Sequence, residues 1–168
     1  MVNIIYSRLY TIGMVICILT LAANIHRIKA QSNAPTEPTE MKRSNSIFQA
    51  AREGDLALLQ AFIDSGVSVN HRGNDGGTPL MSAADAGQDE AVDWLLNHGA
   101  DINAVDEFGT TALMCAVTFG HVNTVKLLLM RGADAHIKSR LHAVPDETAI
   151  DIALRRGHME IVDLLRSW

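Results

Sequence analysis

Histidine and cysteine side chains are the first candidates for chemistry in this 168-residue chain, because they bind zinc and act as bases or nucleophiles. Six histidines follow residue 45: His71, His98, His121, His136, His142 and His158. No two of them have the i, i+4 spacing of a helical zinc site, and the sequence contains no Cys-x-x-Cys pair. The spacing therefore predicts no metal site.

Catalytic signatures of other kinds are also missing from the sequence. Cys115 precedes Ala116 in an apolar run, which favours a small core residue over a nucleophile. The sequence has neither a Gly-x-Ser-x-Gly motif nor a phosphate-binding loop, and its acidic residues are spread along polar faces. We therefore predict that the chain is not an enzyme and needs no cofactor.

A period of 33 residues organises the positions of these side chains. The glycines of one series are Gly54, Gly87 and Gly120, and those of a second are Gly66, Gly99 and Gly132. Asn70 and Asn103 keep the same period, with His136 in the next slot. A fixed period of this length indicates stacked supersecondary units in a solenoid.

One unit, residues 73–105, shows how each repeat is built. Asn74-Asp75-Gly76-Gly77 is a turn sequence, Thr78 is a suitable helix N-cap, and Pro79 suits the first helical position. Gly87 ends this short helix, and a second helix is predicted from Asp89 to Asn97. Each unit can bury its apolar faces only against its neighbours.

These units resemble the ankyrin-repeat family. The segments that carry the resemblance are GGTPLMSAADAGQDEAVDWLLNHGADINA and DEFGTTALMCAVTFGHVNTVKLLLMRGADAHIK, with weaker units at SIFQAAREGDLALLQAFIDSGVSVN and DETAIDIALRRGHMEIVDLLRSW. The resemblance implies an all-α solenoid over residues 46–168, with about four helix-turn-helix units joined by β-hairpin-like loops. The expected repeats cover residues 46–72, 73–105, 106–138 and 139–168.

The sequence departs from the family pattern in three ways. Met81, Met114 and Asp151 replace the histidine that usually follows the Thr-Pro-Leu start, and this should slightly weaken hydrogen bonding at the helix starts. Ala112 and Ala149 replace the proline in later units. Four extra residues fall within 138–145, so the third hairpin should be long. The resemblance also implies that His121 and His158 serve the turn between the two helices.

Ligands of this family are held by the hairpin tips and the exposed side of each first helix, which together form a concave face. By position, the resemblance implies a partner-binding set of Arg72, Asn74, Asp75, Asp85, Glu107, Phe108, Thr110, Thr118, Phe119, Arg140, Leu141, His142, Arg155 and Arg156. Phe108 and Phe119 are aromatic residues at positions where the repeat pattern expects exposure. Each could be an interface anchor or could fold back on its own repeat.

Charge and composition narrow the class of partner. Residues 31–168 contain 11 basic and 19 acidic side chains, a net charge of −8. This charge repels a phosphate backbone, and aromatic residues form only 5% of the chain, so little surface is available for stacking bases. We therefore expect a protein partner and no nucleic acid, and we expect the chain to be a monomer.

The N-terminal 30 residues have the layout of a secretory signal peptide. Arg8 precedes an apolar run from Leu9 to Ile25, and Ala30 offers a small residue for cleavage. An uncleaved membrane anchor is the alternative, since the run has about the minimum length for a span. Residues 31–45 are polar, contain two prolines and read as a flexible linker.

The sequence as a whole indicates an exported protein, periplasmic or secreted, that binds another protein without catalysis. Either N-terminal alternative places the repeats outside the cytoplasm. Two roles remain open for it: an inhibitor or immunity-type protein, and an accessory factor for an envelope enzyme. The competing interpretation is a scaffold that keeps its apolar helix as an inner-membrane anchor.

Overall fold

The computed structural model describes residues 46–140 and 146–168, and these residues form eight α-helices and no strand. In chain order the helices are α1 Ile47–Glu53, α2 Leu56–Asp64, α3 Pro79–Asp85, α4 Asp89–Asn97, α5 Ala112–Phe119, α6 Val122–Met130, α7 Ala149–Arg156 and α8 Met159–Arg166. They form four helix-turn-helix pairs, so the all-α repeat solenoid predicted from the sequence is confirmed.

Threonines begin three of the four first helices. The hydroxyls of Thr78 and Thr111 accept hydrogen bonds from the amides three residues later, at 3.3 Å in both cases. Pro79 occupies the start of α3, where its missing N–H costs nothing. The sequence predicted the cap at Thr78, because a polar oxygen is needed for the free N–H groups of a helix start.

Asp151 strengthens the start of α7 instead of weakening it. Both the amide and the hydroxyl of Thr148 donate to Asp151 Oδ2, at 3.0 and 2.6 Å. These two hydrogen bonds lower the pKa of Asp151 below its ordinary value. The expectation of poorer hydrogen bonding was therefore wrong at this helix, because a carboxylate accepts as well as the histidine it replaces.

Replacing Asp151 with alanine should make the stability of the domain less dependent on acid. The folded state holds this carboxylate ionised, so its contribution is complete above the ordinary pKa of 3.8 and is lost as the pH falls further. Urea unfolding should show Asp151→Ala less stable by about 1 kcal/mol at pH 7. The gap should close below pH 3.8, whereas an unchanged gap would contradict this account. Asp163→Ala, on α8, is the control.

The helices pack in two rows. The first helices α1, α3, α5 and α7 contact one another in sequence, and α4, α6 and α8 form the second row. Alanines such as Ala50, Ala83 and Ala116 are fully buried between the first helices, because small side chains allow their close approach. Buried residues run from Ile47 to Leu165, so residues 46–140 and 146–168 share one core.

Side-chain hydrogen bonds also join each repeat to the next. Asn70 contacts Gly99 O and the amide of Asp101, at 3.0 and 2.8 Å, and Asn103 accepts from the amide of Asp134 at 2.9 Å. The bonded residues are 29 or 31 positions apart in the sequence and lie in the loops of neighbouring repeats. The repeated asparagine therefore links units.

His121 and His158 have the same bridging role. His121 Nε2 lies 3.0 Å from Asp85 O, and His158 Nε2 lies 3.4 Å from Thr118 O. Neither ring caps its own helix. Each histidine thus contacts the end of the first helix in the previous repeat, which is α3 for His121 and α5 for His158. These contacts lie outside the turn of the histidine's own repeat.

The loops between repeats are hairpin-shaped turns in the described residues. Gly73 N donates to Gly77 O and Asp106 N donates to Thr110 O, at 2.9 and 3.1 Å. Neighbouring hairpins touch through Glu107 N and Asp75 O, 3.0 Å apart. At the long third hairpin Ser139 pairs with Glu147 and Asp146, while residues 141–145 lie outside the described part.

The apolar segment from Leu9 to Ile25 also lies outside the described residues, as does the linker 31–45. Among residues 46–140 and 146–168, no helix is long and apolar enough to cross a membrane. The signal peptide and the anchor both stay predictions.

Candidate functional site

A groove beside the first helices has a volume of about 360 Å³ and is bordered by α1, α3, α5 and the hairpins before α3 and α5. Phe48, Met81 and Cys115 contribute apolar surface to it. Asp75, Asp85 and Asp106 contribute carboxylates. The groove therefore combines an apolar wall with an acidic one.

The three aspartates are held in different ways. Asp75 Oδ1 accepts from Gly77 N at 3.1 Å. Asp106 Oδ1 accepts from Phe108 N and Thr110 N, at 2.9 and 2.7 Å. Asp85 forms an ion pair with Arg52, whose Nη1 lies 2.7 Å from Asp85 Oδ2. The three bonds from backbone amides fix the hairpin turns and hold the carboxylates of Asp75 and Asp106 in place.

The hairpin residues of the predicted binding set differ in their exposure and in their hydrogen bonds. Asn74, Asp75, Glu107, Phe108 and Arg140 are exposed, and Thr110 is half-buried. Arg72 Nη1 donates to Gly76 O and Val105 O, at 3.0 and 2.7 Å, so its guanidinium joins two neighbouring hairpins. Leu141 and His142 lie outside the described residues.

The helix-end residues of that set also have structural contacts. The hydroxyl of Thr118 donates to Met114 O at 2.8 Å, and Asp85 is paired as described above. Phe119 and Arg156 are exposed at the ends of α5 and α7. The role of the whole set in partner binding stays a prediction.

Arg155 is bound within its own repeat. Its Nε and Nη2 donate to the two carboxylate oxygens of Glu147, at 2.7 and 3.0 Å, and this raises the pKa of Arg155. Glu147 is only 7% exposed, so it needs this partner. The pair fixes the start of the last repeat to the end of α7.

Arg155→Ala should therefore lower the melting temperature of the domain, because it leaves the buried Glu147 carboxylate without its cation. Arg156→Ala is the matched control, since Arg156 is the exposed neighbour on the same helix. Differential scanning calorimetry should show a shift for the first variant and almost none for the second. Equal shifts in melting temperature would contradict this account and show that Arg155 contributes no more to stability than an exposed arginine.

Two aromatic side chains on elements that border the groove remain open to solvent. Phe108, in the turn before α5, is 45% exposed, and Phe119, at the end of α5, is 57% exposed. The ring of Phe119 stacks on His121, with centroids 6.3 Å apart, yet more than half of it stays uncovered. Phe119 thus contacts its own repeat and still offers apolar surface, and its role as an interface anchor stays a prediction.

Cys115 lines the groove as a protonated thiol. Burial, followed by the negative charges of Asp85 and Asp106, raises its pKa to about 12. Within the described residues, no group of three histidine, cysteine or acidic side chains could hold a metal ion. Nothing in this geometry activates the thiol as a nucleophile.

Alkylation of Cys115 by iodoacetamide at pH 8 should be on the order of a thousandfold slower in the folded than in the urea-unfolded protein. The thiolate is the reacting form, and its fraction falls as the pKa rises. In the folded protein the rate should keep increasing up to about pH 12. A plateau near pH 8.5, the ordinary thiol value, would contradict the raised pKa.

The comparison with protein families follows the same repeats. The family model described as "Ankyrin repeats (3 copies)" matches residues 47–139, which is more than half of the chain. The chain belongs to the ankyrin-repeat family. Ankyrin repeats are modules for protein–protein interaction, and the family is generally not catalytic.

Individual relatives match over shorter stretches. The chain is 40% identical over 62 residues to "Ankyrin repeat, SAM and basic leucine zipper domain-containing protein 1" of Loxodonta africana, covering 36% of this chain and 13% of that protein. It is 35% identical over 77 residues to "Ankyrin repeat family A protein 2" of Homo sapiens, covering 46% and 23%. The matched parts are thus less than a quarter of each relative.

Sequence reasoning missed several groove residues of this ankyrin protein. Phe48, Arg52, Ser82 and Cys115 line the groove but are absent from the predicted partner-binding set. The repeat period offered a signal, because Arg52 and Asp85 occupy equivalent slots, and so do Ser82 and Cys115. Equivalent slots of a solenoid lie side by side.

Proposed function

We propose that the chain is an exported bacterial protein of the periplasm that binds another protein through the concave face of its ankyrin repeats. The observation that carries the proposal is the exposure of Phe108, in the hairpin before α5, and of Phe119, at the end of α5. Exposed aromatic side chains are enriched among the residues that contribute most to interface affinity. The preformed hairpins limit the entropy lost on binding.

Two roles fit such a binding surface. An inhibitor or immunity-type protein would mask the active site of an enzyme, whereas an accessory factor would stabilise or deliver an envelope enzyme. The chain needs no cofactor or catalytic group in either role. The alternative is a membrane-anchored scaffold that keeps the apolar segment from Leu9 to Ile25.

The N-terminus decides between export with cleavage and anchoring. N-terminal sequencing of the protein isolated from its own cells should find a first residue at or near Gln31. A protein that starts at Met1 and sediments with membranes would instead support the anchored scaffold. This measurement is independent of partner binding.

Affinity capture tests the binding surface. Residues 31–168 serve as bait for a cell-envelope extract, beside a Phe108→Asp/Phe119→Asp variant and a Met130→Asp variant. Met130 is 71% exposed at the end of α6, in the second row of helices. A partner that binds the native and Met130→Asp baits but is lost from the double variant would support the concave face. Equal capture by all three baits would contradict it.

A further inference from the structure

Charge is distributed very unevenly along the solenoid. Residues 46–118 contain two basic and eleven acidic side chains, whereas residues 119–168 contain seven basic and six acidic ones. The groove beside α1, α3 and α5 lies within the acidic part. A binding partner therefore meets a negative potential at the groove.

The carboxylates at the groove still have hydrogen-bonding capacity. The turn amides use Oδ1 of Asp75 and of Asp106, so Oδ2 of each is open to another donor. Among the described residues, Arg52 is the one cation in ion-pair contact with a groove aspartate, and it contacts Asp85. Asp75 and Asp106 thus hold two negative charges next to an apolar wall.

A second groove, bordered by α2 and α4, contains two aspartates that already have partners in the stack. The carboxylate of Asp89 accepts from Thr124 at 2.5 Å, and Asp93 is paired with Arg131. These contacts hold α4 to α6 and to Arg131, the C-cap residue of α6. Asp89 and Asp93 of that second groove therefore stabilise the stack, whereas Asp75 and Asp106 of the first each keep a carboxylate oxygen available to a ligand.

We propose that the groove beside α1, α3 and α5 binds an arginine side chain in a basic segment of the partner protein, an inference that rests on the function proposed above. The long apolar stem of arginine suits the wall of Phe48, Met81 and Cys115. Its planar guanidinium presents several donors to carboxylates held by the two neighbouring hairpins. Phe108 and Phe119 would contact the apolar residues of the same segment.

The test uses a defined cation in place of the partner. Nitrogen-15-labelled residues 31–168 are titrated with N-acetyl-arginine amide, and with the N-acetyl-citrulline amide as an uncharged ligand of the same shape. We expect chemical-shift changes at Gly77, Ser82 and Thr110 with the arginine compound, and weaker binding as sodium chloride is raised. Equal changes with both compounds, or changes confined to Asp89, Glu90 and Asp93, would overturn the proposal.

Charge-neutral variants make the test specific. Asp75→Asn/Asp106→Asn keeps the Oδ1 acceptors of the turns and removes both charges, and it should weaken binding about tenfold. Asp101→Asn/Asp134→Asn is the matched control, because these aspartates accept from turn amides in the same way outside the groove. An equal loss of affinity in the control variant would show that the effect depends only on net charge, and it would overturn the proposal.

The same variants separate this inference from the proposed function. If a captured partner is lost from Phe108→Asp/Phe119→Asp but binds Asp75→Asn/Asp106→Asn as tightly as the native bait, the concave face stands and the arginine site fails. If both double variants lose the partner and the control pair keeps it, both proposals are supported. If every variant captures the partner as well as the native bait does, while N-acetyl-arginine amide still binds the groove, the proposed function fails and the arginine site stands.

Discussion

Replacing Gly87 with alanine is expected to lower the free energy of unfolding by about 3 kcal/mol. Gly87 has φ +69°, a conformation that costs any residue with a Cβ about 1–2 kcal/mol. An added Cβ would also lie only 2.7–2.9 Å from the ring of His121. The ring must then move away from Asp85 O, and the hydrogen bond between repeats is lost. Urea unfolding followed by circular dichroism measures the change.

Gly99→Ala is the matched control for this prediction. Gly99 has φ +87°, and an added Cβ there would meet no atom within 4 Å. We expect Gly99→Ala to lower the free energy of unfolding only by the backbone cost of about 1–2 kcal/mol. A His121→Ala substitution should recover part of the excess loss in Gly87→Ala. Equal losses at the two glycines would show that His121 gives way freely and that the link between repeats is weak.

Replacing Leu128 with alanine should have the largest effect on stability, about 3–4 kcal/mol. This side chain on α6 is fully buried in the third repeat, between neighbours on both sides. Its removal leaves a cavity in the core shared by these repeats, and a domain of this size has only about 5–15 kcal/mol in total. Chemical unfolding should shift to lower urea with little change in slope.

The terminal repeat supplies the comparison for Leu128. Leu165 occupies the equivalent slot of α8 and is 8% exposed. It has a described repeat on one side only, so Leu165→Ala should cost roughly half as much. This difference follows from nearest-neighbour stacking, in which an internal repeat contributes to two interfaces. Equal costs at the two positions would contradict that picture and indicate a single globular core.

Stability and binding should be separable in this protein. Gly87, His121 and Leu128 hold the repeats together, whereas Phe108 and Phe119 are exposed side chains. Substitutions of the two phenylalanines are therefore expected to leave the unfolding midpoint nearly unchanged. Loss of capture by the folded double variant would then report on the surface itself.

Much of this architecture could be predicted from the sequence, because each repeat restates the same local signals. Thr78 and Thr111 begin helices, and Pro79 follows the first of them, as their capping chemistry requires. The second helix of that unit begins at Asp89 and ends at Asn97, as its apolar spacing indicated. These features depend on residues three or four positions apart.

The contacts between repeats could not be derived in this way. The sequence alone determined the ankyrin fold, the four repeats and their helices, because local hydrogen bonding and apolar periodicity are written in short segments. Only the tertiary structure decided that His121 holds Asp85 O, that Asn103 joins Asp134, and that Asp75 and Asp106 line the same groove as Phe48. Such partners are brought together by the stacking of neighbouring units, and the geometry of that stacking determines which side chains are paired and which remain free to bind.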